Sequence, residues 1–354
     1  MIITFNATAY DARPSGARNR TVGLAAALLR AKVSVRIFVP YGHSIREDVA
    51  REHGGEFPGD HFEQIGSPLD PANAVRRSMR SRNWFARRIS RETDAFVTDY
   101  YPLLTKLPTL VTAHDLRYFA APRHERTLRA IWFRSRFPKI ARRAARLVVP
   151  TEAVLREAVE FLGVDASRVV VVGNGLSRQW RTAEPAGAPG THFLAVGMSE
   201  RRKDLAVLLA AMRLAPAAPP LVVVTRGRRP FAARDLVDSG RIRFVDTPTD
   251  ADVVALCRGA VALLHPSRYE GFGLPVIEAM SVGVPVLAAR QAAVEEVAGG
   301  FATLLPPGDA AAWAAAMSSV PPVPPGARDR AHAFTWDRAA ASLVSAVEAV
   351  ASEA

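Results

Sequence analysis

Short apolar segments alternate with helical stretches along the whole chain, and no other feature of the 354 residues constrains the fold as strongly. In the first half the apolar segments are residues 2–5, 33–39, 95–98, 109–112, 147–149 and 169–172. Strands separated by helices in this way form β-α-β units, whose strands lie parallel in one sheet. The first half therefore predicts an α/β domain built on a parallel sheet.

The second half repeats this layout after a break. Residues 181–191 are rich in proline and glycine, which is typical of a linker. Apolar segments then recur at residues 193–196, 221–224, 242–245, 260–265 and 285–288. We therefore predict two Rossmann-like domains, residues 1–180 and 181–335, that face each other across a cleft where ligands bind.

Basic residues are concentrated in one part of the chain. Residues 1–150 contain 26 Lys and Arg against 13 Asp and Glu, whereas residues 151–354 contain 20 against 21. Most of the excess lies in residues 71–146, which hold 18 basic and 5 acidic side chains. A local positive patch of this size predicts a polyanionic partner such as lipid headgroups, a diphosphate or nucleic acid.

Part of this patch is predicted to be a helix over residues 74–92 with one basic face. Its members lie within an arc of about 120° and are Arg76, Arg77, Arg80, Trp84, Arg87, Arg88 and Arg91. Lys139, Arg142, Arg143 and Arg146 form a second basic face. A basic face with an interfacial Trp suits an anionic membrane; an anionic acceptor and a merely solvated face are the alternatives. We expect no nucleic-acid partner, because outside the patch the aromatic residues are not arranged as in nucleic-acid-binding modules.

Cysteine usage and the hydrophobic pattern bear on the compartment. The single cysteine, Cys257, excludes an intramolecular disulfide framework and a cysteine-rich zinc site. The first residues lack the basic and apolar regions of a signal peptide, and no apolar stretch approaches the roughly 18–20 residues of a membrane span. We therefore expect a cytoplasmic protein that contacts the inner face of the cell membrane peripherally, if at all.

Residues 266–285 contain the most informative motif of the second half. Gly271 and Gly273 allow a sharp turn and a close approach of the backbone to a ligand. Pro275 suits the start of a helix, where its missing N–H costs nothing. A glycine loop that leads into a helix N-terminus predicts an anion site, such as one for phosphate.

Two glutamates, Glu270 and Glu278, frame this loop eight positions apart. With its Glu-x7-Glu spacing, the stretch resembles the signature of glycosyltransferase family 4, a group of retaining enzymes with the GT-B fold that use activated sugars. The resemblance implies that Glu270 contacts the transferred sugar and acts in catalysis, and that Glu278 binds the nucleotide ribose. It also implies that the backbone of Phe272, Gly273 and Leu274 lines the sugar and phosphate site.

A second segment, residues 193–205, agrees with this resemblance. It is similar to the family's strand, glycine turn and basic pair, here Gly197, Arg202 and Lys203, and the resemblance implies that the two cations clamp the donor diphosphate. Neutralising the leaving diphosphate is the main electrostatic demand when a glycosidic bond to phosphate breaks. Asp204 replaces the asparagine that is usual after this pair.

Two segments of the first half also resemble family elements. Residues 110–116 place His114 and Asp115 after a strand, and the resemblance implies a catalytic sugar contact for His114 and a structural role for Asp115. The loop of residues 15–20 is similar to a glycine-rich loop that approaches the donor phosphate and the acceptor. It keeps Gly16, but Arg18 stands where a second glycine is common, so that Arg18 supplies positive charge instead.

Together these features imply a retaining hexosyltransferase of GT-B architecture that moves a sugar, mannose by resemblance, from a nucleotide-diphosphate donor. The expected acceptor is a hydroxyl of a glycan or a lipid-linked intermediate of lipopolysaccharide or polysaccharide biosynthesis. The terminal helix, residues 336–354, is expected to pack back toward the first domain. We expect no cofactor and no metal, because Arg202, Lys203 and a helix N-terminus carry the positive charge. The alternatives are a phosphorylase or nucleotide-sugar epimerase of the same fold, and a non-enzymatic protein that binds anionic surfaces.

Overall fold

The computed structural model describes residues 1–8, 10, 11, 15–57, 59–68, 85, 88, 92–99, 104–120, 127–187, 190–225 and 230–353. Contacts between residues divide the chain into two compact units. Unit 1 comprises Met1–Arg178 and Thr335–Ala354, and unit 2 comprises Gln179–Phe334.

Of the basic face expected over residues 74–92, Arg88 is described and exposed, whereas Arg76, Arg77, Arg80, Trp84, Arg87 and Arg91 lie outside the described residues.

Unit 1 is built on a parallel sheet of seven strands in the order β3-β2-β1-β4-β5-β6-β7. The strands are β1 (Ile2–Asn6), β2 (Ser34–Pro40), β3 (Phe62–Ser67), β4 (Ala95–Thr98), β5 (Thr109–Thr112), β6 (Arg146–Val149) and β7 (Val169–Val171). Its described helices are α1 (Gly16–Arg30), α2 (Arg46–His53), α3 (Arg117–Ala120), α4 (Leu128–Arg143) and α5 (Glu152–Leu162), and α6 (Arg178–Arg181) lies at the boundary with unit 2.

Unit 2 has a parallel sheet of six strands in the order β10-β9-β8-β11-β12-β13. These are β8 (His192–Val196), β9 (Leu221–Thr225), β10 (Ile242–Asp246), β11 (Ala260–His265), β12 (Val286–Ala289) and β13 (Thr303–Leu305). The helices are α7 (Leu205–Leu214), α8 (Arg234–Asp238), α9 (Asp250–Arg258), α10 (Leu274–Ser281), α11 (Ala292–Ala298), α12 (Ala310–Ser318) and α13 (Ala327–His332). Two parallel-sheet α/β units confirm the predicted fold class.

The last helix, α14 (Trp336–Ser352), belongs to unit 1 and packs on α1. Its buried face, which includes Leu343 and Val347, joins the same apolar core as Leu24 and Leu28 of α1. Trp336 is almost fully buried, and a Cβ atom at Gly23 would lie 2.2 Å from its ring. The close approach of the two helices therefore requires a residue without a side chain at this position.

None of the helices in the described part of the chain is both long and apolar enough to cross a membrane.

Candidate functional site

Two loops of unit 2 meet at the carboxyl ends of neighbouring strands. Strand β8 pairs in parallel with β11, so the segments that follow them start side by side. After β8 the chain forms a short 3₁₀ helix, Arg201–Lys203, and after β11 it forms the glycine loop that precedes α10. Ligands of parallel α/β sheets bind at this edge, outside the carboxyl ends of the strands.

Glu270 joins the two loops through two cations. Its Oε2 atom accepts a hydrogen bond from Nη1 of Arg202 at 3.0 Å, and its Oε1 atom accepts one from Nζ of Lys203 at 2.5 Å. The same Nη1 atom donates to the backbone oxygen of Tyr269 at 2.9 Å. Burial alone would raise the pKa of Glu270, but the adjacent positive charges outweigh it and hold this pKa well below its usual range. The carboxylate is therefore ionised at neutral pH.

His265 is a member of this cluster that the sequence analysis missed. It ends strand β11, is 3% exposed, and its Nε2 atom lies 3.4 Å from Oε1 of Glu270. Burial lowers the pKa of His265, and the nearby charges of Lys203 and Arg202 lower it further, against the opposing effect of Glu270. The imidazole is therefore neutral at neutral pH. A histidine at the carboxyl end of a buried strand, just before the glycine loop, was the available signal.

Asp204 and Arg268 connect the two loops a second time. The carboxylate of Asp204 accepts a hydrogen bond from Nε of Arg268 at 2.6 Å, and the backbone N–H of Arg268 donates to the oxygen of Arg202 at 2.9 Å. Asp204 has a φ angle of +50°, a left-handed conformation in which Asp and Asn are the most common residues besides glycine. The aspartate thus keeps the backbone conformation that an asparagine would have and adds an ion pair.

The glycine loop presents unpaired backbone donors at the start of α10. Gly273 has a φ angle of +100°, and Leu274 begins the helix with Pro275 in its first turn. Among the described residues, no acceptor takes the backbone N–H of Phe272, Gly273 or Leu274. Free N–H groups at a helix N-terminus attract anions, and that they bind one here stays a prediction.

Glu278, on α10, lies apart from the Glu270 cluster. Its half-buried carboxylate has no hydrogen bond or ion pair within the described residues. Burial raises the pKa of Glu278 to about 8, and the charge of Asp250 adds to this effect. At neutral pH the Glu278 carboxyl is therefore mostly protonated, so it can both donate a hydrogen bond to a polar group of a ligand and accept one from it.

No metal-binding cluster of three His, Cys, Asp or Glu side chains occurs in the parts of the chain that the structure describes. Two of the acidic residues, Asp250 and Asp252, stand two positions apart at the start of α9. Asp252 closes a capping box with Thr249, in which each side chain accepts from the other residue's backbone N–H.

Gly197 follows β8 in unit 2 with a φ angle of +73°.

In unit 1, His114 follows β5, and its Nε2 atom forms a hydrogen bond with the backbone oxygen of Asp99. Burial lowers the pKa of His114, so the ring is neutral, and because a carbonyl oxygen only accepts, Nε2 carries the hydrogen. Nδ1 is then the acceptor nitrogen. Asp115 accepts from the backbone N–H of Arg117 at 3.2 Å, which is a local structural contact.

A buried ion pair behind His114 was also missed by the sequence analysis. Arg20 of α1 is 1% exposed, and its Nε atom lies 3.7 Å from Oδ1 of Asp99, which is 2% exposed. Nη1 of Arg20 donates to the oxygens of Val172 and Gly173, both at 2.9 Å, and to Oδ1 of Asn174 at 2.6 Å. Arg20 thereby ties α1 to the segments that follow β4 and β7.

Arg18 has its charge paired within unit 1. Its guanidinium makes a two-pronged contact with Asp48, at 3.1 Å from Nε to Oδ2 and 2.7 Å from Nη2 to Oδ1. The hydroxyl of Tyr10 donates to the same carboxylate at 2.5 Å. Gly16 is the first residue of α1, capped by Ser15. That Gly16 and Arg18 approach a phosphate or an acceptor stays a prediction.

Comparison with known proteins extends this description. The family described as "Glycosyltransferase Family 4" matches residues 14–180, and that described as "Glycosyl transferases group 1" matches residues 190–320. The O-antigen chain mannosyltransferase B of Escherichia coli is 27% identical over 219 residues, which are 56% of this chain and 58% of that protein. The O-antigen chain mannosyltransferase RfbU of Salmonella typhimurium is 25% identical over 224 residues, 60% of this chain and 61% of that protein. The chain thus spans about six tenths of the length of these relatives.

Solved structures share the fold over nearly the whole chain. A glycosyltransferase from Rickettsia africae has a TM-score of 0.73 at 15% identity and covers 99% of this chain, with 98% of its own chain aligned. Anabaena HepE in complex with UDP-glucose has a TM-score of 0.65 at 17% identity, with 100% of this chain and 99% of that chain aligned. At these identities the likeness concerns the GT-B fold alone.

Proposed function

The chain belongs to the family 4 glycosyltransferases, and on that premise we propose that it is a retaining enzyme that transfers a sugar from a nucleoside diphosphate sugar to a hydroxyl group of a glycan or lipid-linked acceptor. One observation carries the proposal. Arg202, Lys203 and Glu270 meet at the carboxyl ends of β8 and β11, beside unpaired N–H groups at the start of α10. Cations, a carboxylate and an anion-binding helix end are what a diphosphate sugar requires.

The two cations and the helix end are assigned to the donor diphosphate. Arg202 and Lys203 are each less than 15% exposed at their side chains, so their charges are only partly screened by water. Phe272, Gly273 and Leu274 supply backbone donors to the phosphate oxygens, and Gly197 keeps the turn after β8 free of a side chain. Positive charge at this place stabilises the leaving diphosphate as the glycosidic bond breaks.

Glu270 then changes partners when the donor binds. A diphosphate on Arg202 and Lys203 takes over the charge that neutralises Glu270 in the free protein. The released carboxylate accepts hydrogen bonds from hydroxyl groups of the donor sugar. Glu278 is assigned to the ribose, with whose hydroxyls its mostly protonated carboxyl can exchange hydrogen bonds in either direction.

In unit 1 we assign to neutral His114 a hydrogen bond with a hydroxyl of the sugar. In the transfer step the bond between the anomeric carbon and the diphosphate oxygen breaks, and a bond from that carbon to the acceptor oxygen forms on the same face. The acceptor proton moves to the leaving phosphate oxygen, so no side chain has to act as a base.

The donor and the acceptor class to test first are proposed from the names of the relatives. Because they are named O-antigen chain mannosyltransferases, GDP-mannose is the first donor to test, and a glycan or lipid-linked intermediate of polysaccharide biosynthesis is the first acceptor class. The net charge of +12 favours an anionic acceptor or an enzyme held peripherally at an anionic membrane. We further propose that transfer needs no metal, so that EDTA leaves the rate unchanged.

The first experiment measures thermal stability with UDP, GDP, ADP and dTDP for the wild type and for Arg202→Ala/Lys203→Ala. A ligand at 100 times its Kd stabilises a fold by roughly 2.7 kcal/mol, which raises the melting temperature by several degrees. If one diphosphate stabilises the wild type most and has no effect on the variant, the result supports the donor site and identifies the nucleobase of the donor.

The second experiment incubates the matching sugar donor with lipid-linked acceptors and determines the anomeric configuration of the product. An inverted product would contradict the retaining mechanism, and dependence on free phosphate would favour a phosphorylase. If no diphosphate stabilises the wild type, the donor site itself is refuted.

A further inference from the structure

Helix α4 of unit 1 exposes two large apolar side chains, Leu128 and Ile131. Leu128 is 86% exposed, the highest value among the large apolar residues in the described part of the chain, and Ile131 on the next turn is 57% exposed. On the opposite side of the helix, Ala130, Phe137 and Ala141 are fully buried in the core of unit 1. The inner face therefore anchors the helix, and its outer face is turned to solvent.

The outer face of α4 also carries cations. It is defined by Leu128, Ile131, Ser135, Arg136, Lys139 and Arg143, which lie within an arc of about 140° at 100° per residue. All six are exposed. Arg136, Lys139 and Arg143 form no hydrogen bond or ion pair with any described residue.

The whole helix is unusual in charge. Its 16 residues contain six Lys and Arg and no Asp or Glu. Long basic side chains without partners are not needed to hold the helix in place, because its inner face already does so. Two neighbouring exposed apolar residues serve no packing purpose in the described structure either.

From these observations we propose that the outer face of α4 binds an anionic lipid surface, with Leu128 and Ile131 inserted among the acyl chains and Arg136, Lys139 and Arg143 against the headgroups. This combination of apolar insertion and cationic contact is what a helix lying in a membrane interface provides. Basic side chains near an anionic leaflet each strengthen binding about fivefold.

A lipid surface fits these residues better than a nucleic acid does. A polyanion in solution would use the three cations alone, and it would gain nothing from Leu128 and Ile131, which cannot bind phosphate. A bilayer uses both groups of residues at once. The inference rests on the proposed function, because a lipid-linked acceptor would give the enzyme a reason to stay at a membrane.

The test is flotation of the full chain with vesicles of phosphatidylcholine, alone or with 30% phosphatidylglycerol, at low and high salt and without any nucleotide sugar. We expect binding to the anionic vesicles only, weakened by salt. Leu128→Glu/Ile131→Glu should weaken it at least tenfold, because two inserted side chains become charged. Arg136→Gln/Lys139→Gln/Arg143→Gln should weaken it about a hundredfold.

Matched controls keep the charge change but move it elsewhere. Val159→Glu/Leu214→Glu alters two other exposed apolar residues on helices, and Arg234→Gln/Arg243→Gln/Arg258→Gln removes three exposed cations of unit 2. Both controls should bind vesicles nearly as the wild type does.

Thermal melting and the diphosphate response of every variant verify folding and test the donor site separately, so failure of the membrane inference leaves the proposed function standing. Absent binding by the wild type, equal loss in variants and controls, or loss only in the cation variant would overturn the proposal.

Discussion

Replacing Glu270 by glutamine should tighten diphosphate binding, although Glu270 belongs to the proposed active site. In the free protein its carboxylate oxygens lie 3.0 Å from Nη1 of Arg202 and 2.5 Å from Nζ of Lys203, so it competes with a phosphate for the same cations. Because the pKa of Glu270 is held well below its usual range, this competition is present at every pH at which the protein is assayed.

The magnitude follows from the distances. A phosphate that contacts the same two cations at about 3 Å lies at most about 6 Å from the carboxylate, where two like charges repel by about 3 kcal/mol at an effective dielectric of 20. Since tenfold in affinity is 1.4 kcal/mol, Glu270→Gln should lower the Kd of UDP or GDP about a hundredfold. The free variant should melt lower, because Lys203 loses its carboxylate partner and Arg202 keeps only its contact with the carboxylate of Glu200, at a cost of about 2–3 kcal/mol.

Titration calorimetry with UDP and GDP measures the first effect, and thermal melting without ligand measures the second. Glu295→Gln is the matched control, since it removes a carboxylate that contacts Arg290 at 3.3 Å on the exposed surface of unit 2. Glu295→Gln should change neither the Kd of the diphosphate nor the melting temperature. Sugar transfer by Glu270→Gln should fall at the same time. Equal or weaker binding of the bare diphosphate by Glu270→Gln would refute the reasoning.

Three further predictions concern single residues. Because the folded-state pKa of Glu278 is raised to about 8, the free energy of unfolding of the wild type should fall as the pH rises from about 5 to 9. Glu278→Gln should be more stable than the wild type by up to about 3 kcal/mol at pH 9 and equally stable at pH 5, which melting curves across that range measure. Asp204→Ala and Arg268→Met should each weaken diphosphate binding about tenfold, and the double variant should bind no more weakly than either single variant. Asp204→Asn should bind as the wild type does. Losses in affinity that add up in the double variant, measured by calorimetry, would contradict a shared role of the two residues. Gly23→Ala should destabilise unit 1 by about 2–3 kcal/mol through overpacking against Trp336, and an unchanged melting curve would argue against the tight contact.

Much of the fold could be predicted from the alternation of apolar segments. The bounds of β4, β5 and β11 agree with the sequence pattern to the residue, because buried parallel strands are continuous apolar runs. Strand β3 (Phe62–Ser67) escaped prediction because it lies at the edge of the sheet and contains only two large apolar residues, Phe62 and Ile65. Helix α1 begins at Gly16 because the side chain of Ser15 caps it there.

The site could be predicted in its parts but not in its contacts. The glycine loop and Lys203 are visible as motifs, yet the ion pair of Lys203 with Glu270 joins residues 67 positions apart, and only the pairing of β8 with β11 brings them together. The pairing of Arg18 with Asp48 was likewise hidden, because neither α2 nor its position beside α1 was predicted. Sequence motifs therefore identify the residues of the site, but which residues contact each other depends on the order of the strands in the sheet.

The return of α14 to unit 1 has a consequence for synthesis of the protein. Unit 2 is one continuous stretch of chain, Gln179–Phe334, whereas the core of unit 1 includes Trp336 and Leu343. On the ribosome, unit 2 can finish folding while unit 1 still lacks its last helix. Until α14 emerges, the space beside Gly23 that Trp336 fills is open and the apolar surface of α1 is uncovered. Unit 1 therefore stays incomplete on the nascent chain after unit 2 has emerged, and chaperones that shield apolar surface should hold unit 1 until α14 has been synthesised.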